Sequence, residues 1–304
     1  MVSVLIVGGG GYIGTVLVDI LLKKNFKVEV FDRFSGGLYP INSYLSNKNF
    51  FYTAADILER NALRASVSRC DFIVWLAAVV SPAKCASVGE KIVHEVNVKS
   101  LDFLHSYRED KPLIFLSTNI GYGAKNKSLL YTEESPMEPN SLYGKSKIMA
   151  ENLLTQTNNF AILRPASSFG VSSRMKDHLL LHYYIREAVQ SGYIELYEGS
   201  NMRNFIHVKD LSKCILMLID KFSDLKNQIY NVGNSQANIK KIDLIKMIKK
   251  KHPSLEFITI DGSQDPDNRD YIVSNAKIEA AGFLCDFSLE DGLVELFNYY
   301  KAKK

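Results

Sequence analysis

Short apolar stretches alternate with amphipathic ones through the first half of the chain. Residues 71–77 and 113–118 are nearly continuously apolar, which is typical of strands buried on both faces of a parallel sheet. The pattern predicts strands at 3–7, 27–32, 49–53, 71–77, 113–118 and 160–164, with helices near 13–24, 59–67, 89–107 and 142–157. This alternation of strand and helix predicts the α/β class with a doubly wound parallel sheet.

The alternation weakens after Pro165. Apolar patterning there predicts strands at Asn204–Val208, Gln228–Val232 and 255–260, and helices near 177–190, Leu211–Phe222, 241–251 and 275–281. We expect a first lobe made of residues 1–165 together with about 204–232, and a smaller C-terminal α/β lobe made of 166–203 and 233–304. A substrate cleft is expected between the two lobes.

A glycine-rich turn with the sequence VLIVGGGGYIG joins the first predicted strand to the first predicted helix. Gly8 permits the tight turn, Gly11 lets the backbone approach a pyrophosphate, and Gly14 lets the helix pack closely on the strand. The start of the helix, at Tyr12 and Ile13, offers backbone N–H groups to the anion. Because the motif lies between a strand and a helix, it indicates a dinucleotide-binding Rossmann sheet rather than a simple turn.

Asp32 ends the second predicted strand, about twenty residues after the glycines. A carboxylate there accepts hydrogen bonds from both ribose hydroxyls of an adenosine and repels a 2′-phosphate, so it favours NAD over NADP. The neighbouring Arg33 leaves NADP open, because a guanidinium could serve that phosphate. Asp56 and Ile57 follow the third predicted strand and are candidates for contact with the adenine; a polar residue that simply ends a strand is the alternative.

Tyr143 and Lys147 lie four residues apart at the start of a predicted helix and therefore share one face. A phenol has an ordinary pKa of about 10, and a nearby ammonium stabilises the phenolate and lowers that pKa. Tyr143 is therefore a candidate general base that takes the proton of a substrate hydroxyl while hydride leaves the same carbon. Lys147 is also a candidate to hold the nicotinamide ribose.

Thr118 ends the fifth predicted strand, and parallel strands present functional groups at their carboxyl ends. Its hydroxyl could hydrogen-bond the reacting oxygen and pass the proton to Tyr143. A hydroxyl that only caps the strand end is the alternative. The combination with Tyr143 and Lys147 favours a catalytic site, since a protein that merely binds NAD on this fold would not need all three.

Composition and charge exclude several other classes of protein. The chain has 304 residues, 46% of them hydrophobic, and a mild net charge of +4. Much of the lysine falls in 240–251, where apolar residues occupy another helical face, so we expect a solvated helix and no nucleic-acid partner. The longest apolar run, 72–80, is too short to span a bilayer, so we expect no membrane association. Because the sequence starts directly with a predicted strand, we also expect no signal peptide. The four cysteines form no C-x-x-C pair and are typical of reduced, buried thiols in the cytoplasm.

His178 and His182 have a spacing at which two histidines can share a metal ion. No glutamate follows His178 as in H-E-x-x-H, and no third ligand is evident in the sequence. Hydride chemistry with NAD needs no metal. We therefore expect structural or substrate-contacting histidines and no metal site.

Together these motifs resemble the extended short-chain dehydrogenase/reductase family, which includes sugar-nucleotide epimerases and dehydratases. The resemblance covers nearly the whole chain. It rests further on Leu76-Ala77-Ala78, Asn97-Val98, Leu163-Arg164-Pro165, 203–211, Tyr230-Asn231-Val232-Gly233 and Arg269-Asp270-Tyr271. It implies a Rossmann domain whose further NAD contacts are Leu76, Ala77, Ala78 and Asn97.

The resemblance also implies a substrate site. Arg203 and Arg269 stand where arginines of the family grip the diphosphate of a sugar nucleotide, and the fork of a guanidinium matches phosphate oxygens. A structural or surface ion pair is the alternative for each. Asn119, beside Thr118, and Arg174 are further candidates for substrate contact.

Three positions depart from the pattern of the family. Val7 stands where a threonine usually begins the glycine motif, and this change should not block cofactor binding. Asn119 and Ile120 take the places of the Asp–Glu pair with which dehydratases protonate the leaving hydroxyl and remove the neighbouring proton. Since neither side chain can perform that acid–base work, dehydration is not expected. Gly121 replaces a valine, which is expected to open the sugar pocket.

Within the family, the chain is most similar to NAD-dependent dehydrogenases that act on GDP-heptose in bacterial capsule biosynthesis. The similarity rests on Thr118-Asn119 with Gly121-Tyr122-Gly123, on 132–136 and on Asp265-Pro266-Asp267. It implies oxidation of the hydroxyl at sugar carbon 4 to a ketone, with the cofactor kept bound and regenerated by a 2-keto acid. A 4-epimerase and a 4-keto reductase would use the same residues and stay open, as do GDP- and UDP-linked substrates.

Members of the family typically form dimers through the helices near 91–107 and 143–157. Val93, Val96, Leu101 and Leu104 give the first of these helices an apolar surface. We therefore expect a homodimer. The alternative is that this surface packs on the chain's own sheet.

Overall fold

The computed structural model describes residues 1–123, 130–260, 262 and 270–304. The strands are Ser3–Val7 (β1), Lys27–Asp32 (β2), Phe50–Ala54 (β3), Phe72–Trp75 (β4), Leu113–Leu116 (β5), Leu130–Tyr131 (β6), Phe160–Pro165 (β7), Ser167–Phe169 (β8), Tyr193–Tyr197 (β9), Met202–His207 (β10), Gln228–Val232 (β11), Asn238–Lys240 (β12), Glu256–Ile260 (β13) and Ile272–Val273 (β14). The α-helices are Tyr12–Lys23 (α1), Arg60–Ser68 (α2), Pro82–Val88 (α3), Glu90–His94 (α4), Ser100–His105 (α5), Leu142–Leu154 (α6), Leu180–Gln190 (α7), Val208–Asp220 (α8), Phe222–Leu225 (α9), Lys241–Lys251 (α10), Ala276–Ala280 (α11) and Leu289–Lys301 (α12).

Seven parallel strands form the central sheet in the order β11-β7-β5-β4-β1-β2-β3. Apolar residues of α1 and α8 cover one face, and those of α2, α5 and α6 cover the other. The continuous apolar runs in the sequence reflect this burial on both faces. The α/β class with a doubly wound parallel sheet is therefore confirmed.

The strand order reverses between β1 and β4, which are neighbours in the sheet although β2 and β3 follow β1 along the chain. Helices that follow strands on either side of such a point lie on opposite faces of the sheet. A crevice then opens outside the carboxyl ends of the strands, and it is where ligands bind in folds of this kind. The glycine turn after β1 and Thr118 after β5 both face this edge.

The later part of the chain adds smaller sheets and a second core. β10 pairs with β8 and β12 in a three-stranded sheet, and β9 pairs with β13. Apolar residues of α7, α10 and α12 pack together against these strands. The sequence analysis did not predict β8, β9, β12 or α12. Within the described ranges, no helix is long and apolar enough to cross a membrane.

The predicted helix near 89–107 contains a change of register. α4 passes into a π-helical turn at Glu95–Lys99, and α5 continues from Ser100. A π turn carries one extra residue relative to an α-helix and often marks a functional position. Here it includes Asn97, which is buried.

The apolar residues from which a dimer surface was predicted lie inside the chain. Val93, Leu101 and Leu104 are fully buried or nearly so, and Val96 is partly buried against the core of the sheet. This part of the prediction is wrong, because a crossover helix must use its apolar face to cover its own sheet. The homodimer itself stays a prediction.

A buried ion pair fixes α6 on the sheet. Arg164, on β7, donates from Nη2 to Glu151 Oε2 on α6 at 2.7 Å and from Nε to both carboxylate oxygens at 3.2 and 3.1 Å. Both side chains are almost fully buried. Ser117, after β5, donates a further hydrogen bond to Glu151 Oε1, and the Arg164 Nη1 group donates to the Tyr122 hydroxyl at 3.1 Å. The helix, β7 and the end of β5 are therefore held in one register.

Arg164→Met is expected to lower the free energy of unfolding by about 3–5 kcal/mol, because it leaves Glu151 as a buried carboxylate without its partner. A double variant that also carries Glu151→Leu should recover most of that loss, since no buried charge then remains. Urea unfolding of the wild type and both variants measures the difference. Equal losses in the single and the double variant would contradict this account.

Candidate active site

The glycine turn has the geometry that the motif predicts. Gly8 has a φ of +86°, and a Cβ there would lie 2.6 Å from the backbone nitrogen of Ala77. A Cβ on Gly14 would lie 2.5 Å from the Cα of Gly9, so α1 and the turn could not approach as they do with any larger residue. Gly11 is the N-cap of α1. The first N–H groups of the helix have no partner within a helix, and together with the helix dipole they suit a pyrophosphate.

Asp32 lies beside this turn, at the end of β2. Its Oδ2 accepts from the backbone N–H of Gly10 at 3.1 Å, and its Oδ1 accepts from that of Phe34 at 2.8 Å. Arg33, the residue that left NADP open, reaches instead toward Asp56, with 3.6 Å between Nη1 and Oδ2. The carboxylate nearest the glycine turn is therefore oriented by the backbone, and this arrangement favours a ribose with free hydroxyls.

A cavity of about 450 Å³ opens at the carboxyl edge of the sheet, between the glycine turn, the ends of β4 and β5, the start of α6 and the segment after β7. Many residues predicted for the site line it: Gly8, Gly11, Tyr12, Ile13, Leu76, Ala78, Thr118, Asn119, Tyr143 and Lys147. The other predicted residues are not among its lining: Asp32, Asp56, Ile57, Ala77, Asn97, Arg174 and Arg203. Arg269, and Asp265-Pro266-Asp267 before it, lie outside the described residues.

The start of α6 brings Tyr143 and Lys147 to the cavity. Ser141 caps the helix by accepting from the backbone N–H of Gly144 at 3.1 Å. Both side chains are buried, and the Lys147 ammonium lies 4.1 Å from the centre of the Phe115 ring. Burial lowers the pKa of Lys147 to about 7, although the nearby Glu151 works in the opposite direction. Burial therefore makes the ammonium of Lys147 easier to deprotonate than that of an ordinary lysine, in the same cavity that the Tyr143 phenol lines.

Thr118 reaches the cavity from the end of β5. Its Oγ1 accepts from the backbone N–H of Ile120 at 3.2 Å and so caps the short turn Asn119–Tyr122. The capping role considered in the sequence analysis is therefore present. A hydroxyl that accepts one hydrogen bond still has a proton to donate and a second lone pair. Capping fixes the orientation of Thr118 and leaves it able to bond a substrate oxygen.

Asn97 braces the site from the π turn rather than lining the cavity. Its Oδ1 accepts from the Val79 backbone N–H at 2.7 Å, and its Nδ2 donates to the Val79 carbonyl at 3.1 Å. The same Nδ2 donates to the Ser146 hydroxyl at 2.9 Å. One amide therefore ties the loop after β4 to α6, the helix that carries Tyr143 and Lys147.

The two described arginines predicted for the substrate lie away from the cavity lining. Arg174 donates from Nη1 to the Tyr39 hydroxyl at 2.6 Å, in the loop that follows Asp32. Arg203, on β10, is buried and donates from Nη1 to the Met202 carbonyl at 2.9 Å. Thr118 lines the cavity, and neither of these arginines does.

The segment after β8 brings Lys176 and His178 to the cavity. No role was predicted for Lys176, and a substrate-contacting role for His178 stays a prediction. His182, four residues after His178, is fully buried, and its Nε2 accepts from the Gly170 N–H at 3.2 Å. Burial lowers the pKa of His182 to about 4, so this ring is neutral and structural. Among the described residues, no histidine, cysteine or carboxylate cluster could hold a metal ion.

Known proteins resemble this chain over nearly its whole length. The chain is 26% identical over 98% of its length to the low-salt glycan biosynthesis protein Agl12 of Haloferax volcanii, 98% of which is covered. It shares its fold with the UDP-glucose 4-epimerase of Thermotoga maritima, solved with UDP-glucose, at a TM-score of 0.86 and 22% identity over 99% of each chain. It also shares it with the UDP-glucuronic acid 4-epimerase of Bacillus cereus, solved with UDP-glucuronic acid and NAD, at a TM-score of 0.85 and 21% identity over 99% of this chain and 100% of that one.

A family model gives the broader assignment. The model described as the NAD dependent epimerase/dehydratase family matches residues 4–233, which include the glycine turn, Thr118, Tyr143 and Lys147. The family and the cofactor predicted from the motifs, NAD, agree with this description. The chain therefore belongs to the NAD dependent epimerase/dehydratase family.

Proposed function

We propose that this protein uses NAD to oxidise the carbon-4 hydroxyl of a nucleotide-activated sugar to a 4-keto sugar. The observation that supports this most directly is the single cavity lined by the glycine turn, Thr118, Tyr143 and Lys147 together. Bound NAD would supply the hydride acceptor. The glycine turn, the open start of α1 and Asp32 fit its pyrophosphate and adenosine ribose.

The chain's own residues handle the proton. Tyr143 takes the proton of the substrate hydroxyl as the base, and Thr118 bonds the same oxygen and can relay that proton. The Lys147 charge stabilises the Tyr143 phenolate, which would otherwise form poorly at neutral pH. Because the Lys147 side chain is buried, its field acts at close range with little screening by water.

The lining of the cavity argues against dehydration. Asn119 and Ile120 line it at the positions where dehydratases have an Asp–Glu pair. None of the described residues that line the cavity is an aspartate or a glutamate. Elimination of water needs an acid for the leaving hydroxyl and a base for the neighbouring C–H, and this wall offers neither as a carboxylate.

The resemblance of the motifs favours GDP-heptose as the substrate. The two solved relatives were instead determined with UDP-sugars. A net oxidation turns over only with an external oxidant, and a 2-keto acid is the class we propose. In this proposal residues 1–165 with 204–232 bind NAD, and 166–203 and 233–304 bind the sugar nucleotide. Its contacts would be Arg174, Arg203 and Arg269 from that second part, together with Asn119 from the first. The last four assignments follow from the resemblance alone.

A sugar-nucleotide 4-epimerase is the second candidate. The two solved relatives reported above are 4-epimerases, and this reaction uses the same base, hydroxyl and lysine. The keto sugar would turn in the cavity and be reduced on its opposite face. Such a reaction needs no external oxidant, which separates it from the dehydrogenase experimentally.

Tyr143→Phe is expected to lower turnover at least about 100-fold, because the proton acceptor is gone while the ring still fills its place. Turnover is measured by NMR of the products from GDP- and UDP-sugars, including GDP-heptose, with NAD and with or without a 2-keto acid. A 4-keto product that requires the 2-keto acid identifies a dehydrogenase. A C4 epimer formed without it identifies the second candidate.

Tyr107→Phe is a matched control for this variant and should keep wild-type turnover, because the Tyr107 hydroxyl has no hydrogen-bond partner among the described residues and Tyr107 does not line the cavity. Nucleotide binding should survive in Tyr143→Phe. Full turnover in Tyr143→Phe would contradict the assignment of Tyr143 as the general base.

Lys147→Met is expected to inactivate the enzyme and to raise its free energy of unfolding at pH 7 by about 1–4 kcal/mol, since it removes a buried charge. Below pH 7 the lysine is charged in both the folded and the unfolded chain, so the gain is constant. Between the folded pKa of about 7 and the ordinary lysine pKa of 10.5, the folded wild type loses its proton before the unfolded chain does. The wild type is therefore stabilised as pH rises, and the difference between the two proteins shrinks.

Urea unfolding of both proteins from pH 6 to 10 measures this difference. Lys145→Met, two positions away and exposed, is the control and should leave stability and activity near those of the wild type. A stability difference for Lys147→Met that does not change with pH would refute the buried-charge account.

A further inference from the structure

Lys176 brings a second lysine to the cavity, on the loop between β8 and α7. Its side chain is half-buried, and His178 lines the same wall. The glycine turn and Lys147 lie on other sides of this one cavity. The proposed chemistry gives Lys176 no part in proton transfer, so its presence there needs a separate explanation.

The loop that carries Lys176 is fixed to the cofactor side of the molecule. Ser172 donates to the Tyr12 carbonyl at 2.7 Å, and the Tyr12 hydroxyl donates to the Gly170 carbonyl at 2.8 Å. Glu295, on α12, accepts from the Val171 N–H at 2.9 Å. Hydrogen bonds from two elements therefore hold the loop, and Lys176 is presented to the cavity by a braced backbone.

The charges around Lys176 lack a balancing anion. Burial and the nearby Arg174 both lower the pKa of Lys176, and among the described residues no carboxylate acts on it in the opposite direction. The described lining of the cavity also contains no carboxylate. Arg174 and Lys176 are two half-buried cations on one braced loop, and together they raise the energy of the unliganded protein. An anionic ligand group would remove that cost.

We propose that Lys176 binds a diphosphate in the cavity, as the point charge that neutralises its oxygens. This inference rests on the proposed function, because both NAD and a nucleotide sugar carry a diphosphate. It assigns to a loop residue part of the role that the family resemblance gave to Arg203, whose described contact is with the Met202 carbonyl. A lysine ammonium is a common partner for phosphate oxygens.

The test compares Lys176→Gln and Lys176→Arg with the wild type and with Lys145→Gln, which changes an exposed lysine outside the cavity lining. Isothermal titration calorimetry measures Kd for NAD, and then for UDP and for GDP with NAD present. We expect Lys176→Gln to raise Kd for one class of diphosphate about tenfold or more, with the loss decreasing at high salt. Lys176→Arg keeps the charge and should bind within a few-fold of the wild type.

The identity of the weakened ligand names the source of the diphosphate. A higher Kd for NAD assigns Lys176 to the cofactor, and a higher Kd for UDP or GDP assigns it to the substrate. Wild-type affinity for all three ligands in Lys176→Gln would overturn the inference. Equal losses in Lys176→Gln and Lys176→Arg would also overturn it, because the packing of the loop rather than the charge would then be responsible. A wild type that binds none of the ligands would refute the proposed function itself.

Discussion

The geometry of the candidate active site depends on the buried ion pair between Glu151 and Arg164. Apolar contacts would hold α6 against the sheet, but such contacts have no direction and would not fix its rotation. The forked pair, with the Ser117 hydrogen bond, has a defined geometry and ties the helix to two strands at once. Lys147, one turn earlier on the same helix face, is thereby held at the cavity that Thr118 lines from the end of β5. The directional ion pair in the core thus fixes the position of the α6 side chains that line the cavity.

The loop after β8, on another side of the cavity, is held by hydrogen bonds between side chains and the backbone. Tyr12, in the first turn of α1, bonds Gly170 and accepts from Ser172, so the helix that is expected to carry the pyrophosphate also positions the later loop. His207 and Lys209 pair with Glu295, which in turn holds the same loop from α12. Hydrogen bonds therefore connect the loop after β8 directly to α1 on one side and to α12 on the other.

Much of the fold and half of the site could be predicted because they follow local rules. The glycine turn, Asp32 and the Tyr143–Lys147 pair each depend on spacing within one or two elements, and the central strands depend on continuous apolar runs. The role of Asn97 could not be predicted, since it depends on a π turn that the sequence pattern does not indicate. Lys176 was missed for a different reason: a loop residue reaches the cavity through tertiary contacts, which no periodicity encodes. Glu151 was detectable, because it continues the helical face of Lys147 by one more turn.

The π turn at Glu95–Lys99 has a consequence for how this cavity can change. One extra residue in a helix rotates everything after it by about 100° relative to a regular α-helix. Deleting one residue there would restore regular winding and swing the amide of Asn97 away from Val79 and Ser146, although no side chain had been altered. Transplanting α6 into another scaffold would therefore also require this neighbouring π turn, which is wound more loosely than an α-helix.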